Sequence, residues 1–168
     1  MRLTELNALS GEEATREFLR CCGSTHWARA MAAARPFADI GAVEAAADKI
    51  CDGLGPADWL EAFAAHPRIG ESGRSGGAGQ ADTSEWSRQE QAGASGASDA
   101  LRERLTARHR DYEARFGYIF IVCASGKRAE EMLAILERRL AHSASDELRA
   151  AAQEQRKITH LRIAKLLT

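Results

Sequence analysis

The chain has 168 residues and a mass of 18.3 kDa, enough for one domain with a real core. Its 23 Lys+Arg against 24 Asp+Glu leave a net charge of −1, which excludes nucleic-acid affinity through bulk charge. Hydrophobic residues make up 45% and charged residues 28%, an ordinary globular balance, and no apolar run approaches the ~20 residues that span a bilayer.

Abundant alanine, few β-branched residues and only 3 prolines favour helix. Ser10 followed by Glu13 is a capping-box pattern, so a first helix is expected over 11–22, stopped by Gly23. A second covers 24–34 and is closed by Arg35-Pro36. Asp39 caps a third, with Ile40, Val43, Ala46, Ala47 and Ile50 on one face and a stop at Gly53. Pro56 suits the first turn of a fourth, which buries Trp59, Leu60 and Phe63. It ends by His66, because Pro67 disfavours the helical region at the residue before it.

Residues 70–81 are Gly- and Ser-rich and are expected to form an exposed loop, flexible over 71–81. A helix resumes near Thr83, runs to about Gln91 or Ala94, and gives way to GASGAS at 93–98. Ser98 caps a long helix over 99–116, with Leu101, Leu105, Tyr112 and Phe116 inward. The apolar run 118–124 would read as a buried strand but has no partner, so an extended buried connector is expected. Ser125 then opens a helix with the stripe Met132, Leu133, Ile135, Leu136 and Leu140, and a last helix covers 145–167. The fold class is all-α: a single-domain bundle of seven or eight short helices around that connector.

Cys21, Cys22, Cys51 and Cys123 are scattered, without a CxxC pair, which suits a reducing cytoplasmic location. The opening residues carry Glu5, Glu12 and Glu13 and no apolar core, so no secretory leader is expected. The closing residues carry no SKL-type peroxisomal signal.

Four places hold polar chemistry in unexpected settings. His66 precedes Pro67 at a helix C-terminus, where the dipole favours imidazolium and general acid–base work is possible. It could equally be a C-cap. Ser87, Glu90 and Gln91 share one helical face at i, i+3 and i+4. That face either lines a polar pocket or is solvated, and Ser87 with Glu90 could instead be a capping box. Arg162 lies between Ile158 and Leu166 in an apolar stripe and needs an anion: a substrate carboxylate, or an internal Asp or Glu. The connector residues Phe120, Ile121, Val122, Cys123 and Ala124 leave peptide groups in need of partners, which neighbouring loops or a flat amide-rich ligand could supply.

Other signals fail. The phosphate-loop pattern GxxxxGK[ST] is absent, Cys22 with His26 is too little for zinc, and neither HExxH nor GxSxG occurs. No metal is implied.

Together, LNALSGEEA at the start, HPRIG at 66–70, SRQEQAG at 87–93, YEARFGYIFIVCASGK at 112–127 and KITHLRIAKL at 157–166 resemble the OHCU decarboxylase family (2-oxo-4-hydroxy-4-carboxy-5-ureidoimidazoline decarboxylase, urate catabolism). The resemblance covers nearly the whole chain. It implies an all-α, usually dimeric, cofactor-free enzyme that decarboxylates an anionic ureido-imidazoline to (S)-allantoin. By that resemblance His66 is the catalytic histidine and proton donor, and Glu90 and Gln91 are the active-site carboxylate and amide. Ser87 and Pro67 line the site, Arg162 holds the substrate's carboxylate side, and residues 120–124 offer main-chain groups to the hydantoin-like ring. The substrate is then the small-molecule partner, with neither nucleic acid nor membrane involved. The rival readings are a non-catalytic helical module that binds a ligand or partner and, against the mixed charge of 102–115, a DNA-binding regulator.

Overall fold

The computed structural model of the chain describes residues 1–68, 80–94 and 96–168. Among them are nine α-helices, one 3-10 turn and no strand. The loop expected over 71–81 lies outside the described residues, apart from Gln80 and Ala81. These two already belong to a helix, which therefore starts three residues before Thr83. The described residues form two compact units, Met1–Ala65 with Gln155–Thr168, and His66–Glu154.

The first unit holds α1 (Leu3–Ala8), α2 (Gly11–Cys21), α3 (Thr25–Ala33), α4 (Ile40–Asp52), α5 (Pro56–Ala64) and the end of α9 (Ala144–Leu166). Helix α1 is one more than the sequence reading anticipates; Glu5 fixes its start by accepting from the Arg2 amide at 2.8 Å. The Ser10–Glu13 capping box and the Asp39 cap form as expected, because each side chain satisfies amide groups that the first turn leaves without a partner. Phe18 anchors the core, edge-on to Trp27 at 5.9 Å and to Phe37 at 6.4 Å. Arg35 clamps the α1–α2 junction by donating to the carbonyls of Leu6 at 2.6 Å and Leu9 at 2.8 Å.

The second unit holds α6 (Gln80–Glu90), the 3-10 turn Ala92–Ala94, α7 (Asp99–Phe116), α8 (Ala129–Arg139) and the start of α9. Gly117, at φ +81°, ends α7 in the left-handed conformation that glycine tolerates best. The chain then runs without helix or strand through 118–124, and Phe120 to Ala124 are all buried. Phe120, Val122 and Ala124 join Tyr112, Met132 and Leu136 in one apolar cluster. The expectation that Ser125 opens the next helix is wrong. Gly126 is left-handed at φ +75°, so a turn intervenes, and α8 starts at Ala129 with Glu131 accepting from the Arg128 amide at 2.8 Å.

A Cβ built on Gly23 would lie 2.3 Å from Ala65 Cβ. Gly23→Ala should therefore destabilise the protein by about 1–3 kcal/mol through overpacking. Thermal denaturation followed by circular dichroism checks this; a melting curve superimposable on the parent's would contradict the packing.

Candidate active site

The structure removes two of the plain readings of the SRQEQAG segment. Ser87 lies inside α6, seven residues past its start, so it does not cap the helix. Nor is its face solvated: Ser87 is 4% exposed and Glu90 8%. Burying a carboxylate is costly unless its surroundings are arranged for it. Gln91 closes the helix half-buried, its amide donating to the Ser87 carbonyl at 3.0 Å.

Two observations bring this helix end against the connector. A Cβ on Gly93 would stand 2.1 Å from the Lys127 carbonyl oxygen, an approach that only glycine permits. The Cys123 thiol is held above its usual range chiefly by burial, with Lys127 opposing and the Glu154 and Glu90 charges adding to the rise. Glu90 is thus within electrostatic reach of the connector.

The connector's peptide groups divide by residue. The Ile121 carbonyl accepts from Arg139 Nη1 at 2.6 Å. At Cys123 the amide donates to Glu154 at 2.7 Å, and the carbonyl accepts from Lys127 Nζ at 2.7 Å. Among the described residues, the N–H and C=O of Val122 and the N–H of Ala124 have no hydrogen-bond partner. The C=O of one residue and the N–H of the next belong to one planar trans peptide unit and point opposite ways. The bonds to the Ile121 carbonyl and to the Cys123 N–H and carbonyl therefore turn the Val122 N–H and C=O and the Ala124 N–H away from those partners. By the same criterion the N–H and C=O of Phe120 and the N–H of Ile121 are also without a partner, so four of the five residues 120–124 hold peptide groups that a ligand could meet.

Arg139 and Glu147, both buried, form the network behind this segment. Arg139 Nε donates to Glu147 Oε1 at 2.9 Å, and its guanidinium lies 4.6 Å from the Phe120 ring centroid. Glu147 also accepts from the Tyr112 hydroxyl and sits 2.9 Å from His142 Nδ1. Burial, then the bond to Glu147, pushes the Tyr112 phenol far above its usual range. The sequence reading missed this network. The signal was there: Arg139 falls on the stripe of Met132 and Leu136, the same placement that singled out Arg162.

His66 is half-buried and Pro67 exposed, two and three residues beyond α5. Arg68 ties the turn down with a fork onto Glu113 of α7, Nε to Oε1 at 2.8 Å and Nη2 to Oε2 at 2.9 Å. One turn earlier on α7, His109 places its ring 5.8 Å from that of Phe120, and burial lowers its basicity. In the first unit Arg162 is 5% exposed, with Nη1 3.5 Å from the Arg20 carbonyl. Burial pushes the Cys21 and Cys22 thiols up to about 12, and the Arg162 charge opposes both shifts. No group of three or more metal-ligating side chains occurs among the described residues.

A family model described as OHCU decarboxylase matches residues 7–164. The uric acid degradation bifunctional protein TTL of Arabidopsis thaliana is 39% identical over 152 residues, 90% of this chain and 47% of that protein. The chain spans about half of that relative. The 2-oxo-4-hydroxy-4-carboxy-5-ureidoimidazoline decarboxylase of Amia calva is 32% identical over 173 residues, 99% of this chain and 95% of that one. A crystal structure of OHCU decarboxylase in the presence of (S)-allantoin superimposes with a TM-score of 0.77 at 36% identity, covering 90% of this chain and 97% of that one. A crystal structure of (S)-allantoin synthase, 19% identical with a TM-score of 0.71, shares the fold over 99% of this chain and 54% of its own.

Arg68 holds the Glu113 carboxyl below its ordinary value of 4.5. A depressed carboxylate contributes stability above its unfolded value and loses it as pH falls through the folded one. Between about pH 5 and pH 3 the parent should therefore lose more stability than Glu113→Gln. The difference should stay under about 1 kcal/mol, because both partners are partly exposed. Equal acid limbs in paired urea titrations would show that the fork adds nothing.

Proposed function

Since the chain belongs to the OHCU decarboxylase family, its residues 7–164 matching the family model, we propose that it decarboxylates 2-oxo-4-hydroxy-4-carboxy-5-ureidoimidazoline to (S)-allantoin. The observation that carries this reading is the 36% identity, over 97% of its length, to an OHCU decarboxylase crystallised in the presence of (S)-allantoin.

The substrate's carboxylate is on a carbon adjacent to a C=N bond. When the bond to CO₂ breaks, its electron pair forms C4=C5 and the C=N pair moves to nitrogen, which takes a proton. The 4-hydroxyl then gives up its proton to become the carbonyl, and C5 receives one on a single face. One proton is consumed for each carboxylate lost as CO₂. The ring itself is the electron sink, so the protein's tasks are to orient the C–CO₂⁻ bond, to supply the proton and to protect one face.

His66 supplies the proton in this reading, and Arg68 supports it by fixing the turn on α7. Glu90 keeps His66 charged or holds the 4-hydroxyl. Gln91 reads the ureido or ring carbonyl, and Ser87 and Pro67 line the site. From 120–124, Val122 and Ala124 offer peptide groups to the cyclic urea. Arg162 holds the carboxylate side. A carboxylate that becomes neutral CO₂ gains little from a guanidinium at the transition state, so Arg162 contributes to binding more than to rate. The family resemblance also favours a homodimer working in the cytoplasm, in keeping with four free, buried thiols.

The protein should be given substrate made freshly from urate by a urate oxidase and a hydroxyisourate hydrolase. Optically active allantoin should then form faster than it does spontaneously; an unchanged rate and a racemic product would refute the reading. His66→Ala should lower kcat at least about 100-fold with the helical signal intact. Near-normal turnover in that variant would remove His66 from its role. Arg162→Lys should raise KM more than it lowers kcat, since lysine cannot make the paired fork; an unchanged KM would make Arg162 structural.

A further inference from the structure

A buried ion pair is an expensive way to hold helices together. Apolar residues of the same volume often do as well or better. The Arg139–Glu147 pair is therefore informative for what its spare donor does. Glu147 fixes the guanidinium through Nε and Nη2, the Phe120 ring lies against its face, and Nη1 is left aimed at the Ile121 carbonyl 2.6 Å away. Seven residues further along α9, Glu154 takes the Cys123 amide at 2.7 Å. Positions i and i+7 lie on one helical face, so one face of α9 sets both odd-numbered peptide groups, the first through Arg139 and the second directly. Those two bonds fix the peptide units on either side of Val122, and so its N–H and C=O, while Lys127 fixes the unit that carries the Ala124 N–H.

We propose that Arg139, clamped by Glu147, is a positioning residue for the decarboxylation. It fixes the Ile121–Val122 peptide unit, and so the direction of the Val122 N–H, and thereby sets affinity for the cyclic-urea part of the substrate. This rests on the functional reading above. The geometry suits a ligand edge that presents one N–H to the Val122 carbonyl and one C=O to the neighbouring amides. Arg139 touches no reacting atom in this account, so its effect falls on binding and leaves the chemical step largely alone.

Arg139→Lys tests this. Lysine keeps the charge opposite Glu147 but lacks the planar fork that bonds Glu147 twice and Ile121 once. The expected result is a rise of about tenfold in both KM for the substrate and Kd for (S)-allantoin, with kcat within about threefold of the parent. An arginine that merely stabilised the fold would reduce the amount of active protein, lowering kcat per mole of chain at unchanged KM and Kd; that outcome overturns the proposal. If Arg139→Lys does not fold, the double variant Arg139→Met with Glu147→Met removes both charges together, and the same division between KM and kcat decides. If the parent itself neither turns over substrate nor binds (S)-allantoin, the functional reading has failed. The positioning claim is then read from the amide chemical shift of Val122, whose peptide unit Arg139 holds. Arg139→Lys should move it, and a shift that stays in place would overturn the proposal.

Discussion

A chain that leaves helical geometry inside an all-helical core must find partners for its peptide groups. The connector's part in the candidate site follows from how residues 118–124 meet that requirement. With no neighbouring strand among the described residues, the partners have to be side chains, and buried ones. Arg139 on α8, Lys127 in the following turn and Glu154 on α9 take one set of groups. A lone arginine at 4% exposure would be prohibitive, which is why Glu147, at 0%, has to accompany it and why Tyr112 and His142 converge on Glu147.

The same constraint explains how an apolar segment could serve a polar ligand in the proposed reading. The side chains of Phe120, Val122 and Ala124 belong to the hydrophobic cluster, which leaves the backbone as the polar surface of this segment. Main-chain amides and carbonyls are well suited to a ureido heterocycle, whose edge alternates donors and acceptors. The buried Glu90 carboxylate comes within reach of this segment because Gly93 lets the turn after α6 close onto the Lys127 carbonyl. Family membership then favours a decarboxylase over a helical module that only binds.

Much of the fold was legible in the sequence because its punctuation is local. Ser10, Asp39 and Ser98 cap the helices they were expected to cap, and Pro56 and Gly117 sit where a start and a stop require them. The failures have physical causes. Helix α1 is too short to show a periodicity, and the start of α8 was misplaced because a left-handed glycine looks like any other in a string. Of the site, the burial of Ser87 and Glu90 and the irregular course of 118–124 were legible as tensions: polar groups on a helix without an apolar stripe, and an apolar run without a partner. The Arg139–Glu147 pair was not, because pairing across 8 residues and two helices is decided by packing. A reading that asked of every arginine what it did for Arg162 would have stopped at Arg139 too.

In the proposed mode of binding, Val122 and Ala124 present their peptide groups to the ligand while the Ile121 carbonyl and the Cys123 amide are held by the protein. Titrating ¹⁵N-labelled protein with (S)-allantoin, and following the amide resonances of the segment, tests it most directly. Large, saturable shifts should appear at Val122 and Ala124, with the Cys123 amide, already bonded to Glu154, moving much less. Saturable binding that leaves Val122 and Ala124 unmoved would contradict it.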